Sequence, residues 1–90
     1  MEKKRNRTDI LNDMLRILKD SRGKIKRTHL MYKANLSHKQ LKLYLYELQR
    51  NKLVEDRKEG KTSFIAITKK GMEFIIQYSQ MKEFEKTFGL

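Results

Sequence analysis

The sequence predicts an α+β fold, in which three short helices are followed by two strands and one long helix. Apolar residues recur at intervals of three or four up to Asn51 and again after Thr68, as in helices with one buried face. Between these stretches, from Leu53 to Ile67, the interval changes to two and Gly60 interrupts it, which indicates a β-hairpin. The chain has 90 residues, no proline and no repeat or low-complexity segment, so we expect one folded domain.

The first helix is expected to run from Thr8, a residue suited to an N-cap, to Asp20. Gly23 can adopt the positive φ of a helix C-terminal cap, and a short extended piece is expected at residues 24–26. Residues 1–7 form a basic tail that we expect to be flexible. The tail can add non-specific phosphate contacts or keep the protein soluble, through Lys3, Lys4, Arg5 and Arg7.

A helix-turn-helix pattern lies in the middle of the chain. The second helix is expected to start at Arg27 or Thr28 and to end at Ala34, before Asn35, which tolerates the left-handed conformation of a tight turn. Met31 stands where a small residue is usual and Asn35 where Gly is usual, so we expect a slightly wider junction between the helices. Apolar residues fill all five positions through which such helices pack, namely Leu30, Ala34, Leu36, Leu41 and Tyr44.

The third helix is expected to begin after Ser37 and to continue to about Asn51. Gln40 lies three residues after Ser37 and completes a Ser-x-x-Gln capping box, in which each side chain bonds the other residue's backbone N–H. The helix should bury a stripe made by Leu41, Tyr44, Leu45 and Leu48, which leaves a basic face outward.

The two strands are expected at residues 53–57 and 63–67, joined by a five-residue loop around Gly60. Thr68 is then suited to cap a final helix over residues 69–88, which nothing in the sequence interrupts. Three helices, a two-stranded wing and a long C-terminal helix, in this order, make a winged helix-turn-helix.

We expect the chain to divide into a basic tail at 1–7, a winged helix-turn-helix domain at 8–68 and a C-terminal helix at 69–90.

Two parts of the sequence resemble a known family. One is the stretch Ile67-Thr68-Lys69-Lys70-Gly71, and the other is the set of residues Met31, Tyr32, Lys33, Ala34, Asn35, Leu36, Ser37, Lys39, Gln40, Leu41 and Leu45. In these residues the chain resembles the small archaeal winged-helix proteins, whose last helix follows a Thr-x-x-Gly joint. The resemblance implies a DNA-binding transcription regulator or chromatin-associated protein that dimerises through its long C-terminal helix.

The charge of the chain points to a polyanionic partner. The formal net charge is +11 and the pI about 10.0, and no acidic residue occurs between Asp20 and Glu47. No apolar run approaches the ~20 residues of a membrane span, and no apolar stretch follows the basic N-terminus as in a signal peptide. The absence of cysteine excludes disulfides and a cysteine-containing zinc finger. We therefore expect double-stranded DNA as the partner and a cytoplasmic, nucleoid-associated location.

The outward face of the third helix supplies most of the candidate DNA contacts. Its N-terminus should enter the major groove first, with Lys39 and Lys42 on phosphates or guanine edges and His38 and Tyr46 on base edges or sugar. The wing can reach an adjacent minor groove, where Lys and Arg are favoured by the negative potential. The full set of candidates is Arg27, Thr28, Ser37, His38, Lys39, Lys42, Tyr46, Arg50, Arg57, Lys58 and Lys61.

The last helix carries apolar residues beyond the length that so small a domain can cover. The intervals between these residues are four, three, three and four, as in the seam of a coiled coil. We expect them to form a homodimer interface, made by Phe74, Tyr78, Met81, Phe84 and Phe88.

The sequence offers no catalytic or metal chemistry. His29 and His38 fit no zinc-binding spacing. The sequence contains neither a nucleophile flanked by glycines nor a phosphate-binding loop. We therefore expect no enzyme activity, no cofactor and no small-molecule ligand. Three readings remain open. The first is a dimeric sequence-selective regulator, the second an abundant non-specific chromatin-type DNA binder, and the third a winged helix used for protein or RNA interaction.

Overall fold

The structure, a computed structural model, describes residues 5–90, so the expected contacts of Lys3 and Lys4 lie outside the described residues. The α+β class and the predicted order of elements are confirmed, and the short extended piece expected before the second helix contains a strand. The elements are α1 (Arg7–Asp20), β1 (Lys24–Ile25), α2 (Arg27–Lys33), α3 (His38–Arg50), β2 (Val54–Glu59), β3 (Thr62–Ile67) and α4 (Lys69–Phe88).

The start of α1 differs from the prediction, because the N-cap is Asn6 and not Thr8. The Asn6 side chain accepts a hydrogen bond from the Asp9 backbone N–H at 2.8 Å. The Asp9 carboxylate in turn accepts one from the Asn6 backbone N–H at 3.2 Å, which makes a capping box. Arg7 is therefore the first residue of the helix.

Two arginines that were expected in a flexible tail bind groups of the folded domain. Arg5 donates to the Ala34 carbonyl oxygen at 3.0 Å and pairs with the Asp13 carboxylate at 3.2 Å. Arg7 forms a two-pronged ion pair with the carboxylate of Glu47 on α3. These contacts fasten the beginning of α1 to the helix-turn-helix.

Local signals in the helix-turn-helix are confirmed. Asn35 has φ of 56°, the left-handed conformation of the turn. The Ser37 hydroxyl accepts from the Gln40 N–H at 3.1 Å, and the Gln40 side chain accepts from the Ser37 N–H at 2.9 Å. Of the five predicted packing positions, Tyr44 is only half-buried, and the other four are buried, namely Leu30, Ala34, Leu36 and Leu41. The core that joins α1, α2 and α3 is centred on Met14, Leu15, Leu18, Leu30, Leu45 and Leu48.

The wing is longer and its turn tighter than predicted. Strands β2 and β3 pair antiparallel from Val54↔Ile67 to Glu59↔Thr62, so the connection is two residues and not five. Gly60 begins this connection with φ of 62°, where a residue without Cβ carries no steric penalty. The short piece at residues 24–26 is the strand β1, which pairs with β3 and completes a sheet of order β1-β3-β2.

The junction between the wing and α4 is tightly bonded. The Thr68 hydroxyl accepts from the Gly71 N–H at 3.1 Å, as a cap should, and donates to the Lys52 carbonyl oxygen at 2.7 Å. The Thr68 N–H donates to the Leu53 carbonyl oxygen at 3.1 Å. A Cβ on Gly71 would overlap the Leu53 carbonyl oxygen and lie 2.7 Å from Cγ1 of Ile67. Only glycine allows α4 to start this close to the end of α3.

The two halves of α4 have different surroundings. Phe74 and Ile75 pack partly against the core, and the Tyr78 hydroxyl bonds the carboxylate of Asp9 on α1. Lys82 reaches the same carboxylate at 3.6 Å. The half beyond this point extends past the domain, and its apolar side chains Met81, Phe84 and Phe88 are exposed.

Candidate nucleic-acid interface

The outward face of α3 is arranged as its spacing predicted. Lys39, Lys42, Tyr46 and Arg50 are exposed, and they recur every three or four residues on one side of the helix. His38 is exposed in the first turn, beside the exposed cap residue Ser37. Within residues 5–90 none of the cations Lys39, Lys42 and Arg50 forms an ion pair. Their charges face solvent and are available to phosphates.

Arg27 connects this face to the wing. It lines an open depression of about 500 Å³ beside α3 together with Lys39, Lys42, Leu43, Leu45, Tyr46 and Gln49. It also lines a second depression of about 350 Å³ that continues along the wing, with Asp56, Arg57, Lys58, Ser63, Phe64 and Ile65. The predicted contacts of α2, α3 and the wing thus belong to one continuous surface, and Thr28 lies exposed in the first turn of α2 beside it.

The wing carries acidic residues as well as basic ones, and its acids have partners. Glu55 pairs with Arg57 at 3.2 Å, and Glu59 pairs with Lys24. These pairs are solvent-exposed and weak, yet they reduce the repulsion that the acids would exert on a phosphate. Lys58 and Lys61 form no ion pair with any residue of the described chain. They are the wing cations best placed to contact DNA.

The two glutamines of α3 are engaged within the protein. The Gln40 side chain caps its own helix. The Gln49 amide donates to the carboxylate of Asp56 on β2 at 3.1 Å and so connects α3 to the wing. Sequence reasoning missed Gln49 because the Gln49–Asp56 contact depends on how the wing folds back on the helix.

No three side chains of His, Asp or Glu within residues 5–90 lie close enough together to hold a metal ion. None of the described helices combines the length and the apolar character needed to cross a bilayer.

Comparison with known proteins identifies the family. Residues 4–86 match a sequence family described as winged helix-turn-helix. The fold is similar to Sso10a-2, a DNA-binding protein from Sulfolobus solfataricus, with a TM-score of 0.77, 20% identity and coverage of 93% of this chain and 85% of Sso10a-2. It is also similar to F93 from STIV, a winged-helix DNA-binding protein, with a TM-score of 0.72, 17% identity and coverage of 93% and 95%.

A third similar structure is MepR, a transcription regulator of the Staphylococcus aureus multidrug efflux pump MepA. The TM-score is 0.74 and the identity 16%, over 89% of this chain and 62% of MepR. A search of curated proteins found no significant match. The likeness to the solved structures confirms the predicted architecture, and the family match spans nearly the whole sequence. The chain belongs to the winged helix-turn-helix family.

Proposed function

We propose that this protein is a homodimeric transcriptional regulator that binds double-stranded DNA with α3 in the major groove. The observation that carries the proposal is the exposed, unpaired basic face of α3, continuous through Arg27 with the wing. The major groove of B-DNA is about 12 Å wide and admits one helix. Lysines on the groove-facing side of that helix lie against phosphates, whose neutralisation supplies the sequence-independent part of the affinity.

The contacts follow from where the residues lie on this surface. Lys39 and Lys42 bind phosphates or guanine edges, and His38 and Tyr46 contact base edges or sugar. Three further cations bind backbone phosphates on either side of the helix, namely Arg27, Arg50 and Arg57. Thr28 and Ser37 donate hydrogen bonds to phosphate oxygens. Lys58 and Lys61, at the tip of the hairpin, reach an adjacent groove.

The homodimer is proposed to form through the C-terminal half of α4. Met81, Phe84 and Phe88 lie on one side of the helix, and the Phe84 and Phe88 rings contact each other with centroids 4.9 Å apart. Exposed aromatic groups of this kind mark interfaces. Phe74 and Tyr78, the other two residues of the predicted seam, pack on their own chain and would contribute at its margin. Two-fold symmetry would let two moderate half-site contacts reinforce each other.

A second candidate function is non-specific, chromatin-type DNA binding in a nucleoid. The observation that favours it is the net charge of +11, together with lysines on α3 whose long side chains suit phosphates as well as bases. A protein-interaction role has less support because α3 is basic. An RNA-interaction role has less support because the sheet formed by the described residues has three strands, one of them two residues long.

Fluorescence-anisotropy titration separates these candidates. The full chain is titrated against a random-sequence duplex and against the DNA upstream of its own coding sequence, each at about 50 and 200 mM salt. A specific regulator binds the upstream DNA at least ~10³-fold tighter, and the difference survives at the higher salt. Equal affinities that fall steeply with salt assign the protein to the chromatin type. The absence of binding to either duplex at low salt contradicts both candidates.

A further inference from the structure

We propose that Leu43, supported by Tyr46, is a specificity determinant that reads thymine methyl groups in the major groove. This inference rests on the proposed insertion of α3 into the major groove, and it names the chemical group that the same surface recognises there. Leu43 lies at the edge of the basic face of α3, between the depression lined by Arg27, Lys39 and Lys42 and a second one lined by Arg7, Glu47 and Arg50.

The first argument is exposure. Leu43 is 62% exposed and Tyr46 64% exposed, although α3 has a separate buried stripe that already holds it on the domain. Neither side chain is therefore needed where it stands for the folding of the chain. This pair is bordered by the unpaired cations Lys39, Lys42 and Arg50, and by Glu47, whose charge is paired with Arg7. Such a surface is suited to a partner that is anionic around an apolar spot, which describes a DNA groove better than a protein surface.

The second argument is the shortage of other fixed readers on α3 beyond its first turn, where His38 lies. Bidentate recognition of adenine requires a free Asn or Gln amide. Gln40 uses its amide oxygen in the helix cap, and the Gln49 amide is bonded to Asp56. Lys39 and Lys42 are flexible point charges that serve phosphates as readily as bases. Beyond the first turn, the outward side chains of α3 with fixed shape are thus the apolar body of Leu43 and the ring of Tyr46.

The third argument is the chemistry of the groove. The major-groove edges of base pairs present hydrogen-bond donors and acceptors, and the C5 methyl of thymine is their apolar element. A leucine pressed against donors and acceptors would leave them without partners, which is unfavourable. Against a thymine methyl, the same leucine removes apolar surface from water on both sides. The occupant that fits this position is therefore an A·T-containing step with its methyl under Leu43.

The test removes only the methyl group. A short alternating A·T duplex and the same duplex with deoxyuridine in place of thymidine are titrated by anisotropy with the full chain. The wild-type protein is expected to bind the thymidine duplex roughly fourfold tighter for each methyl contacted, the effect of burying about one methyl group. In the opposite direction, 5-methylcytosine in an alternating G·C duplex adds a methyl in the same groove and should raise the affinity.

Two variants make the assignment specific. Leu43→Ala should bind the thymidine and deoxyuridine duplexes equally, and circular dichroism should show an unchanged fold because the side chain is exposed. Lys39→Ala should bind both duplexes more weakly and keep their ratio. Equal binding of the two duplexes by the wild-type protein overturns the methyl-reading role while leaving DNA binding intact. Discrimination that persists in Leu43→Ala overturns the assignment to Leu43, and failure to bind any duplex overturns the proposed function as well.

Discussion

At the scale of single residues, the lysines of α3 give the most direct test of the DNA interface. Replacing Lys39 and Lys42 together by Gln removes two charges and keeps a polar, unbranched side chain at both positions. Each lost phosphate contact should reduce the salt dependence of binding by roughly one unit of slope and weaken binding alike on all sequences. The measurement is the dissociation constant across a salt series.

The matched control is Lys19→Gln, which removes a lysine that is exposed on α1, outside the proposed interface. For each charge removed, it should change affinity much less than the double α3 replacement. If the loss per charge is the same in Lys19→Gln and in the double variant, the overall charge of the protein, and not the face of α3, is responsible.

Residue-level signals were predictable where partners are close in sequence. The Ser37–Gln40 capping box and the left-handed Asn35 both depend on residues within one turn. The cap of α1 was misassigned because Asn and Thr both favour the N-cap position. The residue three positions after the cap decides which of the two caps the helix. Asn6 places Asp9 there, which can return the bond, whereas Thr8 would place Leu11 there, which cannot.

Two backbone conformations could not be predicted from residue preference. Arg22 and Lys52 follow the ends of α1 and α3 with φ of 63° and 60°. Neither residue type favours the left-handed region. At the end of α3 the Leu53 N–H bonds the Leu48 carbonyl oxygen, and this closing turn holds Lys52 in its conformation.

At the scale of elements, the joint between the wing and α4 predicts a cost for any side chain at Gly71. Gly71→Ala should lower the free energy of unfolding by about 1–3 kcal/mol, because the new Cβ meets a backbone carbonyl oxygen that cannot rotate away. The measurement is urea unfolding followed by circular dichroism. Gly60→Asn is the control, since a Cβ at Gly60 meets no atom within 4 Å and Asn tolerates its positive φ. Equal losses in the two variants would contradict the proposed role of close packing.

The elements that the sequence did not delimit have one buried residue each, too few to show a period. Strand β1 has two residues, too few for a period to appear. The outer part of β2, from Glu55 to Glu59, is exposed on both faces, so its hydrophobic alternation vanishes and the strand was predicted too short. The helices α1 and α3 were predictable to within about two residues because each buries a continuous apolar stripe.

At the scale of the whole molecule, the proposed dimer depends on the aromatic end of α4. Replacing Phe84 and Phe88 together by Ser should convert a dimer into a monomer of 10.9 kDa in light scattering, since it removes most of the exposed apolar stripe. Ile76→Ser is the control, because Ile76 is 51% exposed but lies on another side of the same helix. A double variant that still has twice the monomer mass would place the interface elsewhere.

In the proposed dimer, the bonded joint at Thr68 and Gly71 would also set the spacing of the DNA sites that both subunits can bind. Thr68, at the start of α4, bonds Lys52 and Leu53 just after α3, so the two helices have little freedom to move relative to each other. A dimer made through α4 would therefore carry its two DNA-reading helices at a fixed separation. Half-sites one helical turn apart, about 10–10.5 base pairs, lie on the same side of DNA. Inserting about five base pairs between them would turn the second half-site to the far side. The dimer should then bind such DNA through one subunit only.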